Sequence, residues 1–158
     1  MVHPDPLPDA ASTGLVLVDH GSRVAESNDM LLSMAAMVRE VVPWGIVEPA
    51  HMELAEPSIA TAFGRCVERG AQLVVVSPYF LLPGRHWSQD IPALAAEAAE
   101  QHPETRYLVS SPLGLHPLMA DVVRSRVEHC LAHATGNAEE CESCSGTGRC
   151  ELLAAPTA

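Results

Sequence analysis

Four of the eight histidines in this 158-residue chain stand just after, or at the end of, short aliphatic runs. His20 lies in Asp19-His20-Gly21-Ser22-Arg23, behind Leu15-Val16-Leu17-Val18. His51 and Glu53 close the stretch Ile46 to Leu54. His86 lies in Gly84-Arg85-His86-Trp87, and His116 in Gly114-Leu115-His116-Pro117. Neutral imidazole is the commonest protein ligand for divalent metals and accepts protons near neutral pH. Two or three His and one Glu converging on a cleft could hold a cation or act as general bases. The short His-Glu-x-x-His spacing of a dedicated zinc site is absent, which suits a metal in transit with open coordination positions. His51 and Glu53 are two apart, so an extended chain would present both on one side. Arg23 and Arg85 flank the two best-placed histidines and can grip carboxylates bidentately. Together with Ser22, which is also a natural helix cap, they are the candidate substrate-binding groups.

A second chemistry sits near the C-terminus. Cys141-x-x-Cys144 puts two thiols on one turn, and Cys150 follows after Gly146 and Gly148. Cys130 precedes them and could supply a fourth ligand. Four thiolates suit Zn²⁺ or an iron–sulfur cluster, and spacing does not separate these. Cys66, inside a helical pattern, reads as a small buried hydrophobe.

These residues need elements to position them. Aliphatic runs at Leu15–Val18, Ile46–Leu54, Leu73–Val76 and Tyr107–Val109 read as strands, the second weakened by Pro49. Between and after them, helical periodicity covers about 26–41, 58–70, 90–101 and 118–133. In the last helix Leu118, Met119, Val122, Val123, Val127, Cys130 and Leu131 are expected to face the interior. Alternating strands and helices, with strands apolar on both faces, predict an open α/β domain with one mainly parallel four-stranded sheet. Such sheets bind ligands outside the carboxyl ends of their strands, where the histidines fall. The expected organisation is an N-terminal extension at 1–13, an α/β domain at 14–133 and a Cys-rich tail at 134–158.

Composition narrows the partners. Nine cations, all Arg, stand against 20 acidic residues, giving a net charge of −11. That balance disfavours a nucleic-acid backbone or an anionic membrane surface as partner. No apolar run approaches the ~20 residues of a membrane span. Met1–Thr13 is polar and Pro-rich, without the pattern of a secretory signal.

Three ordered segments carry a resemblance: Asp19-His20-Gly21-Ser22-Arg23; Glu48 to Ser58, reading EPAHMELAEPS; and Ser77 to Trp87, reading SPYFLLPGRHW, followed by Asp90-Ile91-Pro92. They resemble the small class II chelatases, short relatives of the cobalt chelatases of vitamin B12 synthesis and of the ferrochelatases. The tail is most similar to that of plant-type sirohydrochlorin ferrochelatases, which carry a [2Fe–2S] cluster there. The resemblance implies insertion of Fe²⁺ into sirohydrochlorin to give sirohaem, with Co²⁺ as the alternative metal. It implies metal binding by His20 and His86, an acidic site residue at Glu53, and a cluster on Cys141, Cys144 and Cys150, to which Cys130 is the candidate fourth ligand. Relatives carry an apolar residue where this chain has His51; by its chemistry His51 can join Glu53 in taking or relaying protons. The resemblance further implies a homodimer and a mature form, without transit peptide, in the chloroplast stroma; a bacterial cytoplasmic protein would read the same way. The rival of another class is a non-catalytic iron–sulfur or tetrapyrrole-binding protein.

Overall fold

The computed structural model describes residues 6–149 and 151–153. The chain divides into two compact units, the first ending at Gly114 and the second starting at Leu115.

In the first unit, four strands form one parallel sheet: β1 (Thr13–Asp19), β2 (Ile46–His51), β3 (Leu73–Pro78) and β4 (Arg106–Val109). Their order is β2-β1-β3-β4. Helix α1 (Ala25–Val41) follows β1, α2 (Ile59–Glu68) follows β2, and α3 (Ile91–Glu100) follows β3. The open parallel sheet expected from the sequence is thus present.

Alternation along β1 sorts the core into two layers. Val16 and Val18 pack with Ile59, Phe63 and Cys66 of α2 and with Ile91, Ala95 and Ala98 of α3. Leu15 and Leu17 pack with Leu31 and Ala35 of α1. Ser58 caps α2, its side chain accepting from the Thr61 N–H. The Cys66 thiol is pushed up from its ordinary 9.0 to about 12, first by burial and then by the Glu48 carboxylate. As expected, it behaves as an inert core group.

Two elements differ from expectation. Strand β2 ends at His51, because the chain bends from Met52 onward and Leu54 takes a positive φ of 68°. Strand β4 has Tyr107 and Leu108 exposed, as an edge strand can, instead of being buried on both faces.

The second unit contains helix α4 (Pro117–Ala134) and the segment after it. His116 is the N-cap of α4, its Nδ1 accepting from the Leu118 N–H. No residue of α4 is buried. Leu118, Val122, Val123, Val127 and Leu131, expected inside, are all more than half exposed. The helical period correctly marks an apolar stripe.

Candidate functional site

The order β2-β1-β3-β4 sends the chain in opposite lateral directions from β1 and β3, leaving a crevice beyond their carboxyl ends. The loop after β1 carries His20 and the loop after β3 leads to His86. Their rings lie 5.1 Å apart, centroid to centroid, at 74°. Both side chains are about half exposed. Residues separated by 66 positions in sequence are thus brought into one place by adjacent strands.

Each imidazole has a carboxylate partner. His20 Nε2 lies 2.9 Å from Glu53 Oε1. His86 Nδ1 lies 2.7 Å from Asp90 Oδ2, four residues along a π-helical turn (His86–Asp90) that runs directly into α3. A hollow of about 420 Å³ beside them is lined by Met52, Glu53, His86, Asp90, Ala93 and Leu94. Phe80 packs near the His86 ring, at 6.4 Å.

Backbone pairing holds the first half of this arrangement. Beyond the end of β1, Met52 N–H donates to Asp19 O and Glu53 N–H to His20 O. The exits of β1 and β2 therefore stay zipped together, which sets the Glu53 side chain against His20. Gly21 allows the close approach: its φ is +86°, and a Cβ there would lie 2.0 Å from the Glu53 carbonyl oxygen.

His51 is placed otherwise than its spacing suggested. Its side chain is 1% exposed, with Nδ1 2.6 Å from Asp19 Oδ1. The same Asp19 oxygen accepts from the Gly21 N–H at 2.9 Å. The bend at Met52 separates His51 from Glu53: one turns inward beneath the rim, the other stands on it. His51 and the His20 turn are thus linked through one Asp19 oxygen, while the residues lining the hollow include Glu53 and not His51.

Ser22 holds a local turn just before α1, whose N-cap is Val24. Its Oγ accepts from the Val24 N–H at the start of α1, and its backbone exchanges hydrogen bonds with the Asn28 amide. The guanidinium groups of Arg23 and Arg85 have no hydrogen-bond or ion-pair partner among the described residues, and both residues are exposed. Trp87 donates from Nε1 to Ser110 O, tying the His86 segment to the end of β4. Sequence reasoning missed Asp90 and the bracing role of Asp19. Their signal was present in the spacings His86-x-x-x-Asp90, one helical turn, and Asp19-x-Gly21, a side-chain-to-backbone turn.

In the second unit, the Cys141 and Cys144 backbones form one tight turn, with Cys144 N–H and Ser145 N–H both donating to Cys141 O. Cys130 and Cys144 line one hollow of about 440 Å³ together with Arg126, Leu131 and Arg149. Cys150 lies outside the described residues. Among the described residues, no group of three His, Cys, Asp or Glu side chains is already gathered around a metal position, and no helix is long and apolar enough to cross a membrane.

Two imidazoles set edge to face beside a hollow, at the switch point of a parallel sheet, place the chain among open α/β proteins whose candidate site lies at the strand ends. The chain belongs to the CbiX family, whose model matches residues 14–130. It is 55% identical over 139 residues to the chloroplastic sirohydrochlorin ferrochelatase of Arabidopsis thaliana, covering 88% of this chain and 62% of that protein. It is 30% identical over 119 residues to a sirohydrochlorin cobaltochelatase of Sulfolobus acidocaldarius, covering 75% of this chain and 93% of that one. Among solved structures, the sirohydrochlorin chelatase SirB of Bacillus subtilis subspecies spizizenii, in complex with cobalt, superposes with a TM-score of 0.70 at 31% identity. That match covers 74% of this chain and 50% of SirB. The chain thus spans about three-fifths of its Arabidopsis relative and half of the Bacillus structure.

Proposed function

We propose that this protein is a sirohydrochlorin ferrochelatase, inserting Fe²⁺ into sirohydrochlorin to give sirohaem with release of two protons. The observation that carries the reading is the 5.1 Å approach of the His20 and His86 rings at the rim of a hollow that also holds carboxylates. Insertion requires three things: a dication stripped of part of its water, a macrocycle held below it, and acceptors for two pyrrole protons. The two imidazoles serve the first need, as soft-to-intermediate nitrogen donors with room for further ligands. Glu53, on the rim beside His20, serves the last. Arg23 and Arg85, with uncommitted guanidinium groups, serve the second by gripping the substrate's peripheral carboxylates. A local pair of cations suffices for this, since screening makes the distant acidic surface matter less than charges at the rim.

The cobalt reading stands beside it, because nitrogen and carboxylate donors accept both ions and relatives of both kinds are among the matches. Anaerobic incubation with sirohydrochlorin and either Fe²⁺ or Co²⁺, followed by absorbance, tests both. Growth of metallated bands with Fe²⁺ supports the proposal. Growth with Co²⁺ alone favours the cobaltochelatase. No change with either, despite a shift on sirohydrochlorin binding, leaves a tetrapyrrole carrier. By its similarity to the Arabidopsis protein, we place this chain in the chloroplast, in the stroma.

A resident [2Fe–2S] cluster belongs to the same proposal, held by Cys130, Cys141, Cys144 and Cys150. The donor set suits it: Cys130, Cys141 and Cys144 offer soft sulfur ligands within the second unit. The Cys141 thiol is held below its ordinary range by backbone N–H groups of Ser143 and Cys144, which favour the thiolate that metals require. When bound, such a cluster supplies one-electron redox chemistry, suited to sensing. Replacing Cys141 and Cys144 by serine is expected to bleach the visible absorbance of anaerobically isolated protein; unchanged colour and iron content would remove the cluster from the proposal.

The stripe Leu118, Val122, Val127 and Leu131 on α4 supports a homodimer, because an exposed apolar helix face favours association. The expected result for Val127→Glu is a shift from dimer to monomer in sedimentation velocity. A monomeric parent protein would overturn this reading.

A further inference from the structure

The two imidazoles are not equivalent, and the difference lies in what each ring nitrogen faces. His20 has an acceptor near both: Glu53 Oε1 at 2.9 Å from Nε2, and Gly21 O at 3.3 Å from Nδ1. His86 has one, Asp90 Oδ2 at 2.7 Å from Nδ1. Its Nε2 has no hydrogen-bond partner among the described residues.

An ionised carboxylate only accepts hydrogen bonds. The nitrogen facing it must therefore carry the proton, and in a neutral imidazole the other nitrogen then carries the lone pair. We propose that Asp90 is a positioning residue that locks His86 as the Nδ1–H tautomer. This makes His86 Nε2 the first landing point for the incoming divalent cation. The inference rests on the chelatase reading and assigns an order within it: His86 receives the metal, and His20 joins once its ring is released from Glu53.

Local structure favours the lock. The π-helical turn places His86 and Asp90 on the same side, one turn apart. Asp90 leads directly into α3, whose Ile91 is fully buried, so the carboxylate stands on a rigid base. A carboxylate behind a metal-bound imidazole also raises the ligand's basicity, and losing such a partner typically costs about 10–100-fold in metal affinity.

The test is made on the full-length protein, with Co²⁺ alone as the probe. Ring-¹⁵N-labelled protein reports the tautomer directly. Wild type is expected to show His86 as Nδ1–H, and Asp90→Ala to shift it toward the Nε2–H form that free imidazole side chains favour. Co²⁺ affinity should fall about 10–100-fold in Asp90→Ala, while Asp90→Glu, which keeps the carboxylate, recovers part of both readouts. The metal KM of insertion should rise more than kcat falls. An unchanged tautomer, or Co²⁺ affinity within about twofold of wild type, overturns the assignment. Asp90→Leu, which also removes the acceptor at similar size, serves the same comparison should the alanine variant misfold. If instead the tautomer and Co²⁺ affinity respond as expected but wild type inserts no metal into sirohydrochlorin, the chelatase reading fails and the positioning role stands.

Discussion

Replacing His20 and His86 together by alanine is expected to lower the rate of metal insertion by about 10³-fold or more, within the range that positioned acid–base and ligand groups contribute. Both rings are about half exposed, at 44% and 50%, and neither belongs to the buried core. The double variant should therefore fold normally, with an unchanged circular dichroism spectrum and unfolding midpoint. It should still bind sirohydrochlorin, because Arg23, Arg85 and the hollow's apolar lining remain. The informative comparison is of insertion rate against sirohydrochlorin binding, measured on the same preparation. Loss of the first with retention of the second places the imidazoles on the metal's route. A variant that still inserts iron at the parent rate would dismantle the mechanism, since no other pair of imidazoles among the described residues meets at this rim.

Gly21→Ala is the second large effect, and it acts through the backbone. Alanine at φ +86° carries left-handed strain of about 1–2 kcal/mol. Its methyl group would also need the space of the Glu53 carbonyl oxygen, 2.0 Å from the ideal Cβ position. That oxygen is main chain and cannot swing aside like the end of a flexible side chain. The exits of β1 and β2 must part, breaking the hydrogen bond from Glu53 N–H to His20 O. We expect a destabilisation of about 2–4 kcal/mol in urea unfolding and a loss of insertion activity greater than the unfolded fraction explains, because the His20–Glu53 pair is pulled apart. Gly84→Ala is the matched control: its φ is ordinary and nothing lies within 4 Å of an added Cβ. Equal behaviour of the two variants would refute the argument from close approach.

The parts of this architecture that local chemistry dictates could be read from the chain itself. Aliphatic runs ending in Gly, Pro and Asp located all four strands. The loops carrying His20 and His86 were legible because glycine and proline punctuate them. What local pattern does not encode is adjacency. That β1 lies beside β3, which makes His20 and His86 neighbours, follows from the folded order of strands. The inward turn of His51 has a related reason. An alternation argument holds only while the chain stays extended, and here it bends at Met52. On α4 the periodicity was read correctly, but an apolar stripe fits a buried helix and an exposed one equally well. Asp90 escaped notice because its meaning depends on the atom facing it, the His86 Nδ1.

The tether from Trp87 to Ser110 has an optical consequence. One of the chain's two indoles is fixed next to the residue proposed to greet the metal, while the other, Trp44, sits in the connection between α1 and β2. A tetrapyrrole absorbs where indole emits, so a macrocycle settling over His86 would drain Trp87 fluorescence by energy transfer. With Trp44 silenced, the protein would carry a single built-in lamp at its own doorway, dimming as cargo arrives.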